Sequence, residues 1–167
     1  LHSTSRRQRQ MCIRDSALAG GAATVGCCCN MLGFAVISYP DNGVGGLVAQ
    51  GLGTSMLQVP NLMRKPVLWI PPVLTSAILG PVATCIFQLR NNGAAISSGM
   101  GTAGLVGPIG IITGWSNMPK EYAPGAFDWV GMILVCFILP VVLSWAIGKF
   151  MRKKGWIKEG DLKVDLG

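Results

Sequence analysis

The chain has 167 residues, is 50% hydrophobic and only 13% charged, and carries 23 Gly and 10 Pro. Only seven charged residues (Asp41, Arg64, Lys65, Arg90, Lys120, Glu121 and Asp128) lie within residues 17–148, too few to wrap a soluble core of that size. The apolar excess also excludes disorder, leaving a membrane composition.

Residues 1–16 stand apart from the rest of the chain. Leu1 is not an initiator, and RRQRQMCIRDS resembles a translated linker or adapter scar, so this segment is expected to be non-native, with the native N-terminal part missing. It holds Arg6, Arg7, Arg9 and Arg14 against Asp15, so setting it aside lowers the formal net charge from +7 to +4. It also holds His2, the one histidine.

Five charge-free runs come next, over residues 17–39, 42–63, 66–89, 91–119 and 129–148. Each reaches the roughly 20 residues that a membrane helix needs. The first, third and fifth are dense in large apolar side chains, and the fifth carries Trp129 and Trp145 where interfacial anchors belong. Cys27, Cys28 and Cys29 lie in the first; consecutive helical residues point about 100° apart, so they cannot converge on one metal and read as small buried thiols. Pro71, Pro72 and Pro81 in the third run and Pro140 in the fifth predict kinks.

The second and fourth runs are rich in Gly, Ser, Thr, Asn and Gln, and backbone so broken cannot face lipid. They also resemble each other. GLGTSMLQVP (51–60) and GMGTAGLVGP (99–108) share Gly-x-Gly-Thr, a Leu at the seventh place and a Pro at the tenth, and each comes after an Asn-Gly pair, Asn42-Gly43 and Asn92-Gly93. Repeated broken segments of this kind mark transporter binding regions; the alternative is tight helix packing through small residues such as Gly110 and Gly114. With both runs as re-entrant hairpins, Arg64, Lys65 and the six basic residues from Lys149 onward share one side, leaving Arg90 and Lys120 on the other; the basic side is expected to be cytoplasmic. The two hairpins would then enter from opposite faces. Gly99-x-Gly101-x-x-Gly104 also fits a dinucleotide fingerprint, but without a strand before it the glycines are read as sites of close backbone approach.

The fold expected is therefore all-α, a polytopic transmembrane bundle with broken or re-entrant Gly-rich segments over residues 17–148, continued by a cytoplasmic juxtamembrane tail over 149–167. Asp41, Asn42, Gln50, Thr54, Gln58, Asn61 and Thr102 are the candidate substrate-binding residues. Neutral hydrogen-bonding side chains inside a bilayer need partners, either one another or a polar ligand, and this set suits a neutral polyol such as a sugar better than an ion. No metal site, cofactor site, nucleic-acid site or catalytic constellation is read: the acids show no paired spacing.

The stretch DNGVGGLVAQGLGTSMLQVPNLMRKPVLWIPPVLTSAILGPVATCIFQL (41–89), continued by NNGAAISSGMGTAGLVGPIG (91–110), resembles enzyme IIC, the membrane-embedded subunit of the bacterial phosphoenolpyruvate-dependent sugar phosphotransferase system. More narrowly it resembles the branch described as membrane proteins and candidate toxin regulators. The resemblance implies an inner-membrane permease subunit that carries a sugar to IIA and IIB partners for phosphorylation, with a homodimer as a further expectation. Other branches set a Glu, often with a His, against the sugar hydroxyls. Here the one Glu on the membrane side is Glu121, which keeps open a second reading: a regulatory or scaffolding protein of the same fold without transport.

Overall fold

The computed structural model describes residues 2–91, 95–116 and 125–164, with side chains from residue 17 onward except at 95 and 96. Among these residues the protein is mainly helical, with no strand. Asn92-Gly93 and the Lys120-Glu121 pair lie outside the described residues.

Among the described residues three segments are long and apolar enough to cross a membrane: Ala17–Ile37, Pro66–Ile86 and Ala126–Lys153. The first belongs to α1 (His2–Ile37), the second is built on α4 (Ile70–Pro81), and the third joins α7 (Ala126–Ile133) to α8 (Leu139–Lys153). The prolines sit where the helices start or change pitch. Pro71 and Pro72 open α4, Pro81 ends it before a π-helical turn over Val82–Ile86, and Pro140 opens α8 after a second π turn over Leu134–Ile138.

Contacts fix how the three run. Phe87 stacks on Phe127, so the span built on α4 finishes where α7 begins. Arg152, at the end of α8, donates to Ile37 O at the end of α1. The first and third spans therefore run one way and the second runs back. One end of the molecule carries Ile37, Lys65 and Arg152 and is here called the tail end; the far end carries Ala17, Arg90 and Phe127. Arg64, Lys65 and the basic residues of α8 thus share an end, and Arg90 lies at the other.

Where the spans cross, small residues allow close approach. Gly33 lies against Pro72 and Ser144, Gly148 against Ile37, and Gly131 against the Phe87 ring. The Thr75 and Ser144 hydroxyls, both buried, meet at 3.1 Å between α4 and α8. Cys28, Cys29 and Cys136 fill the core among Val25, Leu79, Ile111 and Val135, as small hydrophobes do.

The second and fourth runs are hairpins. Residues 42–63 leave α1 through α2 (Tyr39–Val48), which kinks at Gly43 (φ +60°), continue through a π turn over Ala49–Gly53 and a 3₁₀ turn over Ser55–Gln58, and return in α3 (Val59–Arg64). Both ends of this run touch the segment beyond α8: the Asn42 amide donates to Leu162 O and the Asn61 amide to Lys163 O. It therefore enters and leaves at the tail end.

The other hairpin starts at the far end, where Asn91 N donates to Ala17 O. It descends through α5 (Ala95–Met100), reaches Cys27 midway along the first span with Gly101, and climbs back in α6 (Val106–Ser116), where Gly107 meets Thr24 and Gly110 meets Ser97. Positive φ at Gly101, Gly104 and Leu105 turns the chain at this tip. The two hairpins thus enter from opposite ends.

The two repeat copies break alike. In each, Gly-x-Gly-Thr ends a helix, a 3₁₀ turn comes next (Ser55–Gln58, Ala103–Leu105), and the Pro at the tenth place falls in the first turn of the succeeding helix.

Candidate functional site

The hairpin tips meet inside the bundle. Thr102 Oγ1, fully buried, donates to Gly51 O at 2.6 Å and so ties the second Gly-x-Gly-Thr copy to the first. Gly51 itself packs on Leu32 and Ala35 of α1.

On the tail side of this contact lies a chain of carboxamides whose orientations are set one by another. Asn61 Nδ2 donates to Lys163 O at 3.0 Å and to Gln58 Oε1 at 2.9 Å. Gln58 Nε2 then donates to Leu162 O at 2.9 Å and to Gln50 Oε1 at 3.2 Å, and Gln50 Oε1 also accepts from Ser38 Oγ. The main-chain carbonyls accept only, so they fix which side of each amide carries the nitrogen. The consequence falls on Gln50. Its Oε1 is used twice, while its Nε2, in a side chain with no exposure, has no hydrogen-bond partner. A buried donor left so costs about 1 to 3 kcal/mol.

The other candidates divide. Asn42 joins this end of the chain, donating to Leu162 O at 2.7 Å and accepting from Val164 N at 2.7 Å. Asp41 is held in an ion pair: Oδ2 accepts from Arg152 at 3.1 Å and Oδ1 from Gly160 N at 3.0 Å. Thr54 is exposed and caps the 3₁₀ turn by accepting from Met56 N. The structure therefore gathers Asp41, Asn42, Gln50, Gln58 and Asn61, places Thr102 as the tie between the tips, and leaves Thr54 on the surface.

Three features were not among the sequence candidates. Ser38, between α1 and α2, holds Gln50. A second polar cluster, Thr24, Asn91 and Ser97, lies at the far end, where Asn91 Nδ2 donates to Thr24 Oγ1 at 2.8 Å and Ser97 Oγ donates to Asn91 Oδ1 at 3.3 Å. The third is the segment after α8. Read from sequence as part of a juxtamembrane tail, it also buries Ile157 and Leu162 among Phe34, Ile37, Leu62, Leu68 and Met151. Its signal was those two apolar residues, five apart in WIKEGDL.

No group of His, Cys, Asp or Glu among the described residues is placed to hold a metal. What fold and site define together is a membrane protein with, among the described residues, three helical segments long and apolar enough to cross the bilayer and two broken hairpins meeting between them beside buried, neutral amides. The comparisons agree with that class. The model of the family described as "Phosphotransferase system, EIIC" matches residues 11–164, and the chain belongs to that family, the membrane component of the sugar-specific phosphotransferase permeases. No curated protein and no solved structure matches it.

Proposed function

We propose that this chain forms the tail-end part of a sugar path in a multi-pass bacterial inner-membrane permease, with the tail end cytoplasmic. The single observation that carries the reading is the Gln50 amide: a buried, neutral donor without a protein acceptor, next in sequence to Gly51, where two opposed hairpins meet. Sugar hydroxyls accept such hydrogen bonds, and an uncharged surrounding favours a neutral polyol over an ion. Gln58, Asn42 and Asn61 extend the same surface toward the cytoplasm, Asp41 positions it through Arg152, Thr102 holds the tip, and Thr54 stands at the rim. The sugar would pass to IIB at the tail end for phosphorylation, with IIA supplying the phosphoryl group. Eight basic residues on that side favour a cytoplasmic tail end.

The test is equilibrium binding of labelled hexoses to the membrane-inserted protein. Gln50→Leu is expected to weaken binding by about tenfold or more, as one buried hydrogen bond of roughly 1 to 3 kcal/mol is lost, with insertion unchanged. Unaltered affinity in that variant would overturn the site.

A further inference from the structure

The segment over residues 156–164 is held to the first hairpin largely by its main chain. Asn42 pairs with it as a neighbouring strand would, its amide taking Leu162 O and Val164 N on the two sides of one carboxamide. Gln58 Nε2 donates to the same Leu162 O, Asn61 Nδ2 to Lys163 O, and Asp41 Oδ1 accepts from Gly160 N. Two side chains are sunk, Leu162 and Ile157, in the cluster with Phe34, Ile37, Leu62, Leu68 and Met151, and Leu162 has no exposure at all. One charge pair closes the outside, Lys65 Nζ on Asp161 at 2.7 Å. These are weak links individually.

Gln58 is the hinge of the matter. Its Nε2 is shared between Leu162 O on the peptide side and Gln50 Oε1 on the buried side. With the peptide in place, Asn42, Gln58 and Asn61 each donate to one of its carbonyls and Gln50 is sealed from solvent. With the peptide away, three amides each lose an acceptor and face water, and Gln58, held then only by Gln50 and Asn61, is free to turn.

We propose that residues 156–164 are a strap that gates the tail-end entrance to Gln50, closed when Leu162 is docked and open when it leaves. The proposal deepens the sugar-path reading and rests on Gln50 as the ligand-facing group, so its test uses no sugar.

In the full chain with its six cysteines replaced by alanine, Ser38→Cys places a near-isosteric thiol beside Gln50. Reaction with a small hydrophilic methanethiosulfonate in membranes is expected to be slow. Adding Leu162→Asp should speed it at least tenfold, because a carboxylate cannot stay in the apolar seat, whereas Leu162→Met should leave it slow. Should Leu162→Asp fail to insert, Asp161→Lys opposes Lys65 at the surface without burying a charge; a several-fold increase is expected, reversed by adding Lys65→Asp. Fast labelling with the unaltered strap would show that there is no gate. Equal labelling in all strap variants would show that the strap does not control the entrance. Either result defeats the proposal whatever the hexose binding shows, and hexose binding lost in Gln50→Leu would stand beside it.

Discussion

The two hairpins carry the same Gly-x-Gly-Thr repeat and use it differently. At the third repeat position the first hairpin has Gly53, where an added Cβ meets nothing within 4 Å, and the second has Gly101, where it would run into the Cys27 and Cys28 backbone from a left-handed conformation at φ +54°. At the fourth, Thr54 is exposed and Thr102 is fully buried. The first hairpin ends in long amides that reach the strap and leave a donor without a partner; the second ends in glycines pressed on α1. A repeat in sequence thus marks where the chain breaks, and the surroundings decide whether the break serves packing or presents polar groups.

The largest effect that would sharpen this contrast is at the paired glycines. Gly101→Ala is expected to destabilise by about 2 to 5 kcal/mol, from roughly 1 to 2 kcal/mol for a left-handed non-glycine residue and 1 to 3 for overpacking. Gly53→Ala should be neutral or slightly stabilising, through the loss of unfolded-state freedom. Denaturation of the two variants in mixed micelles gives the comparison. Equal losses would mean that the hairpins are not differently packed.

The paired threonines give a smaller difference. Thr102→Val removes the 2.6 Å donor to Gly51 O inside the bundle and is expected to cost about 1 to 3 kcal/mol. Thr54→Val loses only an exposed cap, about 1 kcal/mol. The same unfolding measurement tests both, and a larger loss at Thr54 would reverse their assignment.

How much of this was legible in the sequence depends on what each residue can report alone. The three spans were, because uninterrupted apolar runs have one use in so uncharged a chain. The hairpins were legible too, since glycine-broken backbone cannot face lipid, and the basic residues divide between the ends. Gln50, Gln58, Asn42 and Asn61 were found as polar groups in an apolar setting. What was not legible was partnership. The orientation of Gln50 is imposed from about a hundred residues away, by main-chain carbonyls at Leu162 and Lys163 that no side-chain pattern reveals. Nor did Thr24, Asn91 and Ser97 declare themselves, because their cluster exists only once the far-end hairpin has folded back on α1.

The smallest expected effect separates the hairpins by acidity. The contacts described for the far-end hairpin are made by hydroxyls, carboxamides and main chain, which do not titrate in the ordinary range. The first hairpin is closed by a strap carrying Asp161, whose carboxyl is held below its usual range, chiefly by the hydrogen bond from Lys65 and further by the Lys158 N–H and the Lys65 and Lys158 charges, with burial opposing. A lowered folded-state pKa makes the contribution complete above the unfolded value, near pH 4, and removes it as pH falls through the lowered one. Amide exchange at Val164, whose N–H donates to the Asn42 carboxamide, corrected for intrinsic rate, should therefore show unchanged protection from about pH 8 to pH 5 and a loss only at stronger acidity, while Gly107, whose N–H donates to Gly101 O, shows none. The loss should be modest, because Lys65 is 44% exposed and such pairs contribute about 0 to 1 kcal/mol. Lys65→Met should abolish most of the acid step, since Lys65 is its largest cause, and should leave the seat of Leu162 in place. An acid step of equal size at Gly107, or one at the strap that Lys65→Met does not reduce, would show that the ion pair is not what distinguishes the two hairpins in acid.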